Sequence, residues 1–174
     1  MVKSVKPNVG IKGMDVVLSN LNKEITKMKI GASVGLIEAS ILIRRDMDKT
    51  PPLIPIDLGN LRASWFTVTG RGFGVGSRGG TAGTFRGPDA GKHAAERAQA
   101  ISEGRGIASA YKGLMLLMGF SANYALFVHE MIDRKSKKIN WNRPGSGAKF
   151  FEDSLKRNKN KILQIIGNNA RIKE

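Results

Sequence analysis

The sequence predicts an α+β fold in which a long N-terminal helix and a C-terminal helix pack on a small antiparallel sheet, with a glycine-rich insertion. Two segments, one near each end of the chain, have apolar residues at the three- and four-residue spacing of a helix face. Between them lie two short runs of β-branched, aromatic and aliphatic residues, which are typical of strands. The 174 residues are expected to form one domain, with a core at 14–69 and 113–172 and an inserted region at 70–112.

The first helix is predicted to run from about Met14 to Asp46. Gly31 and Gly35 lie inside its apolar face, where each glycine costs about 1 kcal/mol relative to alanine. They indicate either a kink or the close approach of another backbone. Thr50-Pro51-Pro52 is predicted to end the helix, because proline lacks an amide donor and disfavours helical geometry in the residue before it. The apolar face consists of Val17, Leu18, Leu21, Ile25, Met28, Ala32, Leu36, Ala39 and Ile43.

The predicted strands are residues 60–69 and 113–121, and the second is apolar enough to be covered on both faces. Residues 70–112 between them contain eleven glycines and few large apolar side chains. We expect a surface insertion there, partly mobile, because glycine-rich backbone loses the most entropy when it is ordered. Within it, 88–103 alone has the alanine-rich composition of a helix.

The last element is a helix predicted from about Gly147 to Ile166, with one apolar and one basic face. The apolar face consists of Phe151, Leu155, Ile162 and Ile166. The chain has a net charge of +15, and residues 134–174 carry twelve basic but three acidic groups. Such a region attracts nucleic acid, acidic protein surfaces or acidic membranes, but it is equally the composition of a solvated helix face. The basic residues considered as one patch are Arg134, Lys135, Lys137, Lys138, Arg143, Lys156, Arg157, Lys159 and Lys161.

Composition and spacing argue against several kinds of catalytic or cofactor site. The absence of cysteine excludes disulfides, a thiol nucleophile and cysteine-ligated metals. The glycine pattern at 74–79 is not followed by a helix that could receive a pyrophosphate. His129-Glu130 begins like a zinc-peptidase helix, but Asp133 replaces the second histidine, and His93 is the other histidine of the chain. We expect no catalytic, cofactor-binding or metal-binding residues, and we expect His129 and Glu130 to fix a helix end or a subunit contact. Acid pairs such as Asp46 with Asp48 are expected to be solvated helix ends.

No segment is predicted to enter a membrane. The longest apolar run, 114–118, is far shorter than the roughly 20 residues of a membrane helix. Residues 1–14 lack the apolar stretch of a secretory signal. We therefore expect a protein that is made in the cytoplasm and has no membrane partner.

Three segments in the same order resemble the tail-completion and head–tail joining proteins of tailed bacteriophages. The first is Thr50-Pro51 followed by residues 55–64, PIDLGNLRAS. The second is residues 124–130, YALFVHE, and the third is residues 147–155, GAKFFEDSL, which is similar to the start of the family's last helix. The resemblance is carried by Pro55, Asp57, Gly59, Leu61, Arg62, Ser64, Tyr124, Ala125, Val128, His129, Glu130, Phe150, Phe151 and Leu155.

The resemblance implies a structural virion protein of the phage neck or tail top, made in the host cytoplasm, that joins or completes the tail at the DNA-filled head. Its implied partners are copies of itself in a closed ring, with six-fold symmetry favoured and twelve-fold symmetry as the alternative. Other neck, portal-adaptor and tail proteins, and the DNA that passes through the neck, are further implied partners. The residues alone leave two alternatives, a basic nucleic-acid-binding module and, on weaker ground, a metal-dependent enzyme.

The matched residues suit a structural role. Pro55 and Gly59 are expected to set a rigid turn, with Asp57 able to accept hydrogen bonds from backbone amides. Tyr124 and Phe127 are expected to supply large buried areas, with a polar tip on the tyrosine.

Overall fold

The computed structural model describes residues 13–70, 80–81, 83–111, 113–131 and 139–171. Its architecture confirms the predicted α+β class, with long helices at both ends and a small antiparallel sheet. None of the described helices has the length and hydropathy that crossing a bilayer requires. In chain order the described elements are α1 (Met14–Lys49), α2 (Asn60–Ala63), β1 (Trp65–Thr69), β2 (Gly80–Thr81), α3 (Ala90–Ala110), β3 (Leu116–Phe120), α4 (Ala125–Glu130) and α5 (Phe150–Ala170).

Helix α1 ends where the proline pair predicted, since Thr50 after its last residue is extended, with φ −117° and ψ 120°. Its second half packs against α5, which runs antiparallel to it. Gly31 and Gly35 mark a close approach of the two backbones. A Cβ atom on Gly35 would lie 2.7 Å from the Cα atom of Ile166, and one on Gly31 would overlap the carbonyl group of Asn169. Of the two interpretations of these glycines, close approach is the one that the structure supports.

The core lies where the second half of α1 meets β1 and the start of α5. Its aromatic rings meet edge to face, with centroids 5.2 Å apart for Trp65 and Phe120 and 5.6 Å apart for Phe120 and Phe150. Such pairs add to the free energy of area burial alone. Phe151 and Leu155 pack against this cluster and are half-buried. The buried members are Ile43, Met47, Ile54, Leu61, Trp65, Ala122 and Phe150.

The buried face of α5 differs from the predicted apolar face. The most buried positions are Phe150, Ser154 and Asn158, rather than Phe151 and the residues that follow it at helical spacing. Polar side chains are buried on this face because they have hydrogen-bond partners there: the carboxylate of Asp46 contacts Ser154 and Asn158, and the side-chain amide of Asn158 donates to the carbonyl group of Ser154 at 2.9 Å. The hydroxyl group of Ser154 donates to the carbonyl group of Ile43 at 3.4 Å.

In the described part of the chain the sheet has three strands, in the order β2-β1-β3, and all pairings are antiparallel. Trp65 is opposite Phe120, and Thr69 is opposite Leu116. The predicted strand 60–69 is wrong in its first half, because Gly59, with φ 86°, starts the helical turn α2 there. The second predicted strand is present as β3, but its side chains are half-buried rather than covered on both faces.

Residues 83–111 of the expected insertion lie mostly at the surface, but their helix is longer than the alanine-rich stretch 88–103 indicated, and Gly104 and Ala108 are buried. Helix α3 has 21 residues and packs on β1, where a Cβ atom on Gly104 would lie 2.8 Å from Cγ2 of Val68. The glycines that weakened the helix prediction allow this contact, because they bring the helix close to the strand. Residues 71–79, with the glycine pattern at 74–79, lie outside the described residues.

Candidate functional site

Two of the three signature segments line a single cleft of about 560 Å³. Residues 55–61 form one wall, and Tyr124 and Val128 of α4 form another. The remaining walls come from the start of α3 and from the loop 139–142. The third segment lies behind the cleft in the core, through Phe150 and Phe151. The fold therefore brings residues of all three segments into one core cluster.

Hydrogen bonds stabilise the turn at Gly59. Gly59 has φ 86°, a left-handed conformation that favours glycine, as the turn prediction requires. The buried side-chain amide of Asn60 accepts from the backbone N–H of Arg86 at 2.8 Å and donates to its carbonyl group at 2.9 Å. The hydroxyl group of Ser64 donates to the carbonyl group of Leu61 at 2.8 Å. This wall of the cleft is consequently tied both to its own turn and to the segment before α3.

Asp57 does not have the partner that was expected. Its Oδ1 atom accepts from the side-chain amide of Asn142 at 3.2 Å, across the cleft, rather than from backbone amides. The contact links the 55–61 wall to the 139–142 loop, which is 85 residues away in sequence. Since this separation is long-range, local spacing could not have predicted it.

Tyr124 and Phe127 have different surroundings, although both were expected to be buried. Tyr124 is half-buried, and burial, with smaller contributions from the charges of Asp57 and Glu96, raises the pKa of its phenol. Phe127 is exposed, as is its neighbour Leu126. Tyr124 and Val128 lie four positions apart on the side of α4 that faces the cleft. Leu126 and Phe127 lie between them on the opposite side of the helix and therefore point outward.

His129 fixes the start of α5, one of the two roles predicted for it. Its Nδ1 atom is 2.9 Å from the carboxylate of Glu130, and its Nε2 atom accepts from the backbone N–H of Glu152 at 3.4 Å. The ring meets Phe150 edge to face at 5.0 Å. Both imidazole nitrogens are thus engaged, so this histidine caps a helix N-terminus.

Lys149 completes this junction between α4 and α5. Its backbone N–H donates to the carbonyl group of His129 at 2.8 Å, and its ammonium group contacts the carboxylates of Glu130 and Glu152. The hydrogen bond from Lys149 is the largest cause that lowers the pKa of Glu130, and the reciprocal bond raises the pKa of Lys149. The ion pairs are exposed, so they fix orientation more than they stabilise the fold.

The acidic residues at the end of α1 are not the solvated groups that were expected. Asp48 is 2.6 Å from the guanidinium group of Arg44 and 3.0 Å from that of Arg62, and Asp46 is 2.6 Å from that of Arg157. Burial raises the pKa of Asp46, but hydrogen bonds, the strongest from Arg157, outweigh it and hold that pKa below its ordinary value. Arg62, one of the residues that carry the family resemblance, therefore links α2 to α1 through an ion pair.

The predicted basic patch is divided. Arg143 donates to the carbonyl groups of Asp48 at 2.7 Å and Ile54 at 3.4 Å, and Arg157 donates to that of Pro51 at 3.1 Å. Guanidinium groups satisfy carbonyl groups at the ends of elements, so these two arginines are structural. Of the other patch residues, Lys156 pairs with Glu152 at 2.6 Å, and Lys159 and Lys161 are exposed. The rest of the patch lies outside the described residues: Arg134, Lys135, Lys137 and Lys138.

The cleft offers apolar walls and a polar rim. In its lining, Nδ1 of His93 is 3.2 Å from the carboxylate of Glu96, and the imidazole packs near Phe85 and Tyr124. Within the described ranges, no three histidine, aspartate or glutamate side chains are grouped to hold a metal ion. Sequence reasoning missed Arg86, Asp89, His93, Trp141 and Asn142 as cleft residues, and Trp141, an aromatic residue in a loop, was the one available signal.

Comparison of the chain with protein-family models, with curated proteins and with solved structures finds no match. Interpretation of the cleft therefore depends on its residues, their geometry and the resemblance of the three segments.

Proposed function

We propose that this chain is a structural virion protein of the phage neck or tail top. Copies of it form a closed ring that joins or completes the tail at the DNA-filled head. The observation that carries the proposal is that the three resembling segments, distant in sequence, meet in one core cluster, and that two of them line the same cleft. Segments that recur together and also meet in space are expected to serve one contact surface.

The exposed side chains of these segments support a protein–protein contact. Leu58 lines the cleft and is 56% exposed, and on α4 the exposed fractions are 73% for Leu126 and 68% for Phe127. Large apolar side chains that stay in water are typical of surfaces that another protein covers. A ring needs such contacts, because each subunit meets the next head to tail.

Contacts beside the cleft tie the end of α2 to the segment before α3 and to α3 itself, which also favours a contact surface. Arg97 donates from one nitrogen to the carbonyl groups of Ala63 and Gly83, both at 2.9 Å. Its guanidinium group lies 4.7 Å from the ring centroid of Phe85. A surface that is ordered before binding loses less conformational entropy when a partner docks.

His129 gives no support to an enzymatic role. The ring nitrogens of His129 are used at the start of α5, and His93 contacts Glu96 beside the rings of Phe85 and Tyr124. A general base needs a free nitrogen within reach of a nucleophile. The same contacts that engage these imidazoles stabilise the walls of the cleft.

The alternative, a basic nucleic-acid-binding module, has less support from the described geometry. Of the predicted patch, Arg143 and Arg157 are engaged with carbonyl groups and Asp46, while Lys159 and Lys161 are free to meet phosphate. A mobility-shift titration with duplex DNA tests this alternative. Phosphate binding through α5 would weaken steeply with salt and would be lost in the double variant Lys159→Glu, Lys161→Glu.

Gene deletion in the phage genome tests the proposal. Without the protein, filled heads and tails should accumulate separately, and supplying the wild-type chain should restore joined particles. Leu126→Asp should fail to restore them, because it places a charge on the contact surface. Leu163→Asp is the matched control, since Leu163 is 61% exposed on α5, away from the cleft. Normal joined particles from the deletion strain would contradict the proposal.

A further inference from the structure

We propose that the first half of α1 binds the same segment of a second copy of this chain, in antiparallel orientation. The inference does not depend on the proposed function, because it concerns a surface that shares no residue with the cleft. The surface, called here the α1 seam, consists of Met14, Val17, Leu18, Leu21, Ile25 and Met28.

The seam is apolar and uncovered. Its six side chains are between 38% and 61% exposed, and no charged residue interrupts them. They recur at intervals of three and four residues, so they form one stripe along the helix. A contiguous apolar stripe of this kind marks a site where another protein element packs.

The seam continues the interface that α1 already makes with α5. The spacing of positions 14, 18, 21, 25 and 28 extends without a break to 32, 35 and 39, the alternating pattern of a coiled-coil seam. From Gly31 onward α5 covers this stripe, and α5 ends at Ala170, beside Gly31. The element that fits the uncovered half is therefore another helix, placed in line with α5.

Steric reasons favour the same segment of a second copy, antiparallel to the first. In a parallel pair the two α5 helices, each on the stripe side of its own α1, would meet between the helices and force them apart. In an antiparallel pair each seam covers the other, and the uncovered length, about 25 Å for 17 residues, is the same in both copies. The first helical turn of the second copy then follows the end of α5, and opposite ends of the two helix dipoles meet.

Charges beside the seam fit the same orientation. Within the described part of α1, Asp15 lies at one end of the seam, and towards the other end Lys23, Lys27 and Lys29 outnumber Glu24, which pairs with Lys27 at 2.7 Å. Antiparallel pairing brings Asp15 of one copy towards the lysines of the other, whereas parallel pairing brings like charges together. The exposed seam area is roughly 500 Å² per copy, so about 1,000 Å² would be buried, the lower end of specific interfaces. We expect a weak dimer that depends on concentration.

Sedimentation equilibrium of the full chain tests the pairing. The wild-type mass should rise from 18.9 kDa towards twice that value as the concentration increases. Ile25→Asp should weaken the dimer at least tenfold, because it charges the seam. Ile30→Asp is the matched control: the exposed fractions are 38% for Ile25 and 37% for Ile30, and the two lie on opposite faces of α1. A wild-type chain that stays monomeric, or two variants with equal effects, would overturn the inference.

Single cysteines test the orientation, since the natural chain has none. Asn22→Cys, near the middle of the seam, should cross-link to its counterpart with a short bismaleimide. Met14→Cys should not, because antiparallel pairing leaves the two copies of residue 14 about 24 Å apart along the axis. Circular dichroism of each variant verifies that α1 is intact. Efficient cross-linking through position 14 would overturn the antiparallel arrangement.

Discussion

Replacing Gly35 with alanine should destabilise the fold, although alanine is the better helix former. Gly35 is buried in α1 where α5 crosses it, and a Cβ atom there would lie 2.7 Å from the Cα atom of Ile166 and 3.2 Å from the backbone carbonyl oxygen of Ile165. These neighbours belong to the α5 backbone, which cannot rotate away as a flexible side chain can. The two helices would have to separate along their whole contact.

Two opposing terms give the magnitude. Alanine in place of glycine gains about 1 kcal/mol of helix propensity. Overpacking a tight contact costs about 1–3 kcal/mol. The expected net loss is about 1 kcal/mol, which for a chain of this length lowers the Tm by about 2–4 °C.

Gly167→Ala is the matched control, because Gly167 lies in α5 with no neighbouring atom within 4 Å of its added Cβ. This variant should gain about 1 kcal/mol in the free energy of unfolding, so its Tm should rise by about 2–4 °C. Thermal unfolding followed by circular dichroism measures both variants in one buffer. If Gly35→Ala is as stable as Gly167→Ala, the close approach of α1 and α5 is wrong.

Three further changes test other parts of the fold. Gly59→Val should lower the free energy of unfolding by about 1–2 kcal/mol, because a φ of 86° is unfavourable for a β-branched residue even though no atom lies within 4 Å of the added Cβ. Gly59→Asn should lower it less. Equal melting midpoints for the wild type and the valine variant would refute the turn. Phe150→Ala should cost about 3–5 kcal/mol, since Phe150 is fully buried; a loss below about 1 kcal/mol in urea unfolding would place the core elsewhere. Asp46→Asn concerns pH: folding lowers the pKa of Asp46, so its stabilisation is present above the pKa of an unfolded aspartate and is lost as the pH falls through the lower folded pKa. The variant should be less stable than wild type at pH 7 and should lose less stability on acidification, and melting curves that match wild type at both pH values would contradict this role.

The helices at the two ends were predictable because their apolar spacing is local information. α1 begins at Met14 as predicted and extends three residues beyond the predicted end, and α5 extends four residues beyond Ile166. The buried side of α5 was not predictable. Ser154 and Asn158 are buried because the end of α1 supplies their hydrogen-bond partners, the carbonyl group of Ile43 and the carboxylate of Asp46, which the sequence of α5 does not reveal.

The remaining differences have a similar cause. Helix α3 was underestimated because its glycines, unfavourable locally, serve a tertiary contact between Gly104 and Val68. Gly59 and Tyr124, which belong to two of the resembling segments, both line the cleft, whereas His93 and the loop 139–142 join them through long-range contacts. Arg143 and Arg157 resemble a basic surface in sequence, and their carbonyl partners become visible in the folded chain.

Immunogold electron microscopy of the phage particles tests the proposed role most directly. An antibody against the purified chain is applied to intact virions, to separated heads and to separated tails. We expect gold at the junction of head and tail in joined particles, and at one end of whichever separated part retains the ring. Gold along the capsid or at the distal tail tip, or labelling confined to material outside the particles, would contradict a neck protein.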